Sequence, residues 1–498
     1  MAEQYQTALT PKSHQCAKQA LIFVLIGGAV FRLAVFLHAK SLFGDEALLA
    51  VNVVFRPLGH ALLHLDENQI APPLFLILSR FSLLIFKNLE LSLRLVPLLS
   101  GIAVLWLFAR LAWRLVPGWF AVGTTTVIAA HFVHVKYSTM FKHYSSDVLV
   151  SLIFLLAALH WANLRSRQKY ALAAALPLML GLSLTAVFGL FGLLVVSLHS
   201  AMREKRRNSF TAPAILGLST LALGGAIYLI GFSQYRKVGF FYEFWKAGFP
   251  QGSPLSWPVS AIVQVFDYLV GYPPLHELWA VVCLVGLISL FVRARDRTAA
   301  IFSVAAIVAG LGAAIFRVYP FAAERVTLWL APVALVYLAK GLDALWRFRP
   351  RAFLKPVAAI LTFSLISWAI ASVYIQGHEL WRVEEMRTVL RRQSEVESGR
   401  TPVLVSKGAS YAFRLYSDEC ALAKTVWLPE WTLTHDQIGS GWLRAGRPQR
   451  FWLVLTGADF RYMAPAWHVL SRFCMVRQKI EEGVCGAYLL EVQRERFM

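Results

Sequence analysis

Two acids stand side by side at Asp45 and Glu46, in the stretch SLFGDEALLA (41–50), just beyond the first long apolar run of the chain. An ionised carboxylate at a lipid boundary is costly unless it is solvated or paired, so such a pair points to function. The same residues also suit the start of a helix, because Gly44-Asp45-Glu46 before ALLAV puts negative charge on the positive end of the helix dipole. Capping and catalysis fit them equally. On a helix, neighbours point about 100° apart. One acid can then face a reacting atom while the other orients, caps or helps to hold a divalent cation such as Mg or Mn.

Two further clusters carry chemistry. In KYSTMFKHYSSD (136–147), Lys142, His143, Tyr144 and Asp147 fall close together. Tyr144 and Asp147 share a helical face, and Lys142 is long enough to snorkel toward headgroups. Lys136 and Tyr137 read as ordinary interfacial anchors. Asp147 does not, since an acid opening an apolar span calls for a partner. In RVYPFAAER (317–325), Tyr319 and Arg325 stand at the start of another span, with Glu324 beside the arginine. Arg325 serves there either as an anchor or as a guanidinium clamp for phosphate. Acids and cations gathered on one membrane face suit a lipid-phosphate substrate. Cations hold the phosphate, and a carboxylate accepts a proton from an acceptor hydroxyl. The chain has no HExxH, CxxC or Walker sequence, which argues against soluble-nucleotide chemistry.

These residues must be positioned by membrane helices. Of 498 residues 57% are hydrophobic and 15% charged, and the mean hydropathy is +0.56, so most of the chain dissolves in lipid. The net charge of +21, from 49 Lys and Arg against 28 Asp and Glu, reads as cytoplasmic loops facing anionic lipid and not as nucleic-acid binding. The first apolar run, Leu21–Leu37, lacks a small-x-small cleavage site and reads as a retained signal anchor.

The positive-inside rule orders the rest. Residues 1–18 form a cytoplasmic tail, and a membrane region follows over 19–375. Helix 1, at about Gln19–His38, leads to a first external loop over 39–70 with short interfacial helices. Residues 71–88 are apolar but short, and parity has them dip into the outer leaflet without crossing. Spans follow at Leu91–Trp113, Trp119–Val135 and Val148–Trp161. Ala171–Ser200, interrupted at Ser183-Leu-Thr185, reads as two half-length helices. Thr211–Phe232 leads to an aromatic-rich external loop over 233–274. Leu275–Val292, Ala299–Ile315, Val326–Trp346 and Ala352–Tyr374 complete about 10–11 membrane segments. Residues 376–498 read as a small external α/β domain, with a helix at 378–395 and strands at 402–406, 451–456 and 486–492. Cys420, Cys474 and Cys485 lie in it, and Cys474–Cys485 is the nearest pair able to bridge in an oxidising compartment.

The order of DEALLA, LDENQIAPPLFLILSRF, ELSLRLVPLLSGIAVLWLFARLAWRL, YSTMFKHYSSDVLV and VYPFAAERVTLWLAP resembles bacterial GT-C glycosyltransferases. The branch it is similar to includes protein O-mannosyltransferases and the lipid A aminoarabinose transferase. The resemblance covers roughly 20–345. It implies a mainly α, polytopic fold that transfers a sugar from a polyprenyl-phosphate donor to an acceptor on the external face of a bacterial inner membrane, inverting the anomeric centre. By the same resemblance Asp45 corresponds to the catalytic base and Glu46 to its companion. Gln69 and Pro72 flank the donor cavity, Lys142, Tyr144 and Asp147 line its rim, and Arg325 matches an arginine near the lipid phosphate. His143 and Tyr319 join the donor-phosphate group by position. Many relatives carry an acid where this chain has Met140, so that role is lost or passes to Asp147. The acceptor is a protein, lipid or glycan. A transporter or flippase of lipid-linked sugars is the main alternative, but it calls for repeated halves, and Asp45 has no counterpart in the second half. A non-catalytic assembly or sensor subunit is the other.

Overall fold

The computed structural model describes residues 11–42, 44–59, 65–204, 207–233, 239–251, 256–270, 276–294, 296–348, 353–381, 385–396, 401–419, 424–430, 434–456, 470–482 and 485–493. It is mainly helical, with one small sheet near the C-terminus. In chain order the helices are α1 (Pro11–Leu37), α2 (Gly44–Phe55), α3 (Pro73–Ser82), α4 (Leu89–Leu115), α5 (Trp119–Ala130), α6 (Phe132–Ser138) and α7 (Tyr144–His160). They continue with α8 (Ser166–Ala175), α9 (Ala186–Glu204), α10 (Thr211–Ile227), α11 (Phe240–Phe244), α12 (Trp257–Val270), α13 (His276–Val292), α14 (Arg297–Ile315), α15 (Ala331–Arg347) and α16 (Leu354–Gln376). The last four are α17 (His378–Trp381), α18 (Met386–Val396), α19 (Lys407–Tyr416) and α20 (His435–Arg444). Among the described residues, 8 helical segments are long and apolar enough to cross a membrane, and shorter apolar helices stand at α3, α5, α12 and α13. At about 1.5 Å per residue α3 reaches only about half of a hydrocarbon core about 30 Å thick.

The chain divides into two compact units. The first takes residues 1–37, 59–87 and 91–377 and contains the apolar helices. The second takes residues 38–58, 88–90 and 378–498. Residues 38–58 therefore cluster with the C-terminal chain, although they lie in sequence between two membrane segments.

In the first unit α15 is the central element, with every residue from Ala331 to Asp343 buried. It packs against α13 closely enough that a Cβ on Gly286 would fall on the Tyr337 carbonyl. One end of this pair is held by ions. Lys340 pairs with Asp296, and the Asp343 carboxylate takes Arg293 at 3.3 Å and Arg347 at 2.6 Å. The 3-10 turn Arg325–Leu330 leads into α15 and packs on α7, while α9 packs on α7 and α14.

Several boundaries differ from expectation. The first helix begins at Pro11, because a proline suits the first helical position and the polar residues after it are good helix formers. Ala171–Ser200 is not two half-length helices. α8 ends at Ala175, just before a 3-10 turn (Leu176–Gly181) that contains Pro177, and the chain restarts after Ser183 and Thr185 as the full-length α9. The 233–274 region is not all loop. It contains α12, whose Trp257, Ala261, Val265, Phe266 and Leu269 are buried, with Phe266 against Tyr337 at 5.9 Å between ring centres.

The second unit holds a five-stranded sheet of β1 (Val403–Val405), β2 (Thr425–Trp427), β3 (Arg450–Leu455), β4 (Cys474–Glu482) and β5 (Cys485–Val492) in the order β2-β1-β3-β5-β4. The first three run parallel, and β5 is antiparallel to β3 and β4. Both faces are covered, so β1 is apolar throughout. Val403, Val405, Trp452 and Val454 meet α2, α18 and α19 on one side, while Leu404, Phe451 and Leu453 meet α20 on the other. The expected strands fall at β1, β3 and β5. β2 and the polar edge strand β4 are additions. The expected helix at 378–395 is resolved as α17 and α18. Cys474 and Cys485 are not bridged to each other. In the ladder Cys474 faces Val492 while Cys485 faces Glu482, which puts them at opposite ends of a hairpin about 3.4 Å per residue long. Cys420 lies outside the described residues.

Candidate functional site

The stretch from α6 to α7 builds the polar centre of the first unit. α6 ends at Ser138, and residues 139–143 form a tight, buried connection in which the Lys142 N–H donates to the Met140 carbonyl at 2.7 Å. α7 then starts at Tyr144 and is fastened to α4. Ser145 Oγ donates to the Pro97 carbonyl at 3.0 Å, and Ser146 Oγ lies 3.0 Å from Ser100 Oγ. These bonds fix the first turn of α7, and with it the direction of Asp147.

Lys142, His143, Tyr144 and Asp147 are all buried. Lys142 Nζ donates to Gln69 Oε1 at 2.9 Å, so the ammonium is aimed by a residue from the segment before α3. Pro72, also buried, ends that segment as the cap of α3. His143 Nε2 stands 3.7 Å from Asp147 Oδ2, too long for a hydrogen bond. Neither His143 Nδ1 nor Asp147 Oδ1 has a hydrogen-bond partner among the described residues. Burial, with Lys142 and Arg325 nearby as cations, lowers the His143 imidazole to about 3, so it is neutral at physiological pH. The hydroxyls of Ser183 and Thr185, 3.1 Å apart at the head of α9, stand beside the Asp147 carboxyl.

The 3-10 turn before α15 brings Arg325 to the same place. Its guanidinium lies over the Tyr144 ring at 5.9 Å and the Trp245 ring at 5.5 Å. Tyr319 donates to the Val326 carbonyl at 3.1 Å, and burial together with Asp147 and Tyr144 raises its phenol well above the ordinary range. The first unit thus joins the buried Lys142, His143, Tyr144 and Asp147 with the partly exposed Gln69, Tyr319 and Arg325 into one group with two cations, an acid and an aromatic wall. Such a group can take a phosphate on its cations and a polar ring beside its carboxylate and hydroxyls.

Asp45 and Glu46 belong to the second unit, in the first turn of α2. Glu46 is fully buried and Asp45 half-buried. Successive helix positions point their side chains about 100° apart. Among the described residues no group of three or more His, Cys, Asp and Glu side chains is placed to hold a metal ion.

Compared with solved structures, the chain superposes on ArnT from Cupriavidus metallidurans in the apo state with a TM-score of 0.53 at 14% identity, covering 94% of this chain and 97% of that one. The fold is that of ArnT. A second ArnT structure from the same organism, bound to undecaprenyl phosphate, matches with a TM-score of 0.52 at 14% identity over 94% of this chain and 97% of that one. An oligosaccharyltransferase from Archaeoglobus fulgidus, in complex with Zn and sulfate, gives 0.49 at 13% identity over 93% of this chain and 72% of that one. No protein-family model and no curated protein matches the sequence.

Ser183, Thr185 and Trp245 belong to the surroundings of the group but were not among its expected members. The first two carry a sequence signal, a polar break in an apolar run, which also serves a helix junction. Trp245 carries none, being one of several aromatic residues in its stretch.

Proposed function

We propose that this chain transfers a sugar from a polyprenyl-phosphate donor to an acceptor hydroxyl at the external face of a bacterial inner membrane, with inversion. The observation that carries the reading is the buried Lys142, Tyr144 and Asp147 with the half-buried Arg325 over the Tyr144 ring, on a fold shared with ArnT, one structure of which is bound to undecaprenyl phosphate. In this reading Lys142, aimed by Gln69, and Arg325, held by its aromatic wall, take the donor phosphate. His143 and Tyr319 shape the space around it, and Pro72 borders it. Asp147, with Ser183 and Thr185, faces the sugar.

The reaction is a single displacement. The acceptor oxygen forms a bond to the anomeric carbon as the bond from that carbon to the phosphate oxygen breaks. The electron pair leaves with polyprenyl phosphate, where Lys142 and Arg325 meet the developing charge. Asp45 takes the proton of the acceptor hydroxyl, as a carboxylate base does in other one-step inversions. Glu46, fully buried in the same first turn of α2, is its companion. The N-terminus is cytoplasmic and the second unit external.

The test uses the full-length protein in lipid nanodiscs, as wild type, Asp45→Asn and Lys142→Met. Consumption of a panel of polyprenyl-phosphate sugars is followed by mass spectrometry, and undecaprenyl phosphate binding by titration. Asp45→Asn should lose turnover by at least about 10²-fold and keep binding, because only the transition-state proton transfer is removed. Lys142→Met should weaken binding by about tenfold or more, a loss of about 1.4 kcal/mol. Equal turnover in wild type and Asp45→Asn would sink the base assignment. Binding without turnover in every protein, together with net movement of donor between leaflets, would favour a flippase.

A further inference from the structure

Within the second unit, the residues leading into α2 are tied to the C-terminal chain at three successive points. The His38 ring packs edge-on against Trp381 at 5.3 Å between centres. Ser41 Oγ donates to Glu385 Oε2 at 3.1 Å. The Leu42 backbone N–H, fully buried, donates to the Tyr416 hydroxyl at 2.7 Å. Tyr416 in turn donates to Glu90 Oε1 at 2.8 Å. Glu90 is itself fully buried and is met by Arg387, whose NH2 lies 2.9 Å from the same oxygen and whose guanidinium covers the Tyr416 ring at 4.8 Å. The bond from Tyr416 to Glu90 is charge-assisted, and so is stronger and more directional than a neutral one.

The geometry leads directly to the acid pair. Leu42 stands three residues before Asp45, and Gly44 between them has φ +40°, a conformation that side-chain-bearing residues avoid. Beyond that turn, Ala47 and Val51 sink into the same core as Met386, Val389, Ala412 and Tyr416. Both ends of the Asp45 turn therefore rest on the C-terminal part of the unit. One end is fixed by a directed polar chain and the other by apolar packing.

We propose that Tyr416 is a positioning residue for Asp45. Its hydroxyl, oriented by Glu90 and Arg387, fixes the backbone from which the acid-bearing turn of α2 departs. This rests on the reading of Asp45 as the base. Apolar packing sets where a helix lies but leaves the pitch of its first turn loose, and a bridging hydroxyl between an amide and a buried carboxylate removes that freedom. Replacing Tyr416 by Phe keeps the ring and its packing and leaves the Leu42 N–H and one Glu90 oxygen without the bridge.

The experiment compares full-length wild type, Tyr416→Phe, Glu90→Gln and Asp45→Asn in nanodiscs. It measures kcat and KM with the donor found above, hydrogen exchange over residues 42–47, and undecaprenyl phosphate binding. Tyr416→Phe should lower kcat about tenfold with KM within about twofold, since a small displacement of a reacting group acts on the chemical step. Its faster exchange should be confined to residues 42–47, with binding unchanged. Glu90→Gln keeps an acceptor for the hydroxyl and should show the same pattern more weakly. A wild-type kcat in Tyr416→Phe, while Asp45→Asn is inactive, overturns the positioning role and leaves the base assignment intact. Faster exchange throughout the second unit, with kcat and KM changing together, also overturns it by showing a merely structural tyrosine. Full activity in Asp45→Asn removes the base assignment itself, and the proposal with it.

Discussion

Lys142, His143 and Asp147 lie within one short stretch, and the structure gives each a different environment. Lys142 is a buried cation steered by Gln69, while Asp147 is a buried acid whose Oδ1 has no hydrogen-bond partner among the described residues. His143 separates them as a neutral ring, pressed down to about 3 by burial and by the neighbouring cations. That depression sets a sign for stability. In the unfolded chain the imidazole takes a proton below its ordinary value of about 6.5, whereas the native ring refuses one until about 3. Stability from this residue is full above about 6.5 and drains away as pH falls toward 3, at no more than about 1.4 kcal/mol per pH unit. Thermal unfolding of wild type and His143→Asn between pH 7 and 4 should show the shallower loss in the variant. Equal slopes would mean that His143 titrates normally. The types of these residues were legible in the sequence, because an acid opening an apolar run demands a partner. The partners were not. Ser183, Thr185 and Trp245 reach the group through the packing of α7 against its neighbours and of the turn before α15, which no local pattern records.

At the scale of elements, the strongest constraint is the approach of α13 to α15. Gly286 faces the Tyr337 carbonyl with no room for a methyl group, whereas Gly312 in α14 has nothing within 4 Å of a built Cβ. Gly286→Ala should destabilise the protein by about 1–3 kcal/mol through overpacking against backbone. Gly312→Ala should be neutral or gain up to about 1 kcal/mol in helix propensity. Thermal unfolding of the two purified variants checks the contrast, and a stable Gly286→Ala protein would show that the two helices can move apart. The apolar helices were readable because hydrophobic length alone announces them. Two things were not. α12 is a short helix in an aromatic-rich stretch whose burial comes from Tyr337 and its neighbours. β4 is an edge strand with alternating charges, Arg477, Lys479 and Glu481, and it looks like a solvated loop until β5 pairs with it.

For the whole molecule, charge asymmetry and hydropathy predict the orientation, with Cys16 on the cytoplasmic side and the second unit outside. In a Cys420→Ser background, an impermeant maleimide added to intact spheroplasts should label Glu395→Cys, a replacement at an exposed position of α18. It should leave the exposed Cys16 unlabelled until the membrane is opened. The reverse pattern would invert the topology. The second unit carries a further consequence, concerning the order in which the protein is made. Its three pieces, residues 38–58, 88–90 and 378–498, leave the ribosome far apart in time. α2 emerges early with its acids, but the partners of Ala47, Val51 and Leu42 are among the last residues synthesised. A nascent or truncated chain therefore inserts its membrane helices before the acid-bearing turn has these partners. If Asp45 is the base proposed above, the order of synthesis acts as a safety catch, because a half-made copy lacks the packing that holds the acid.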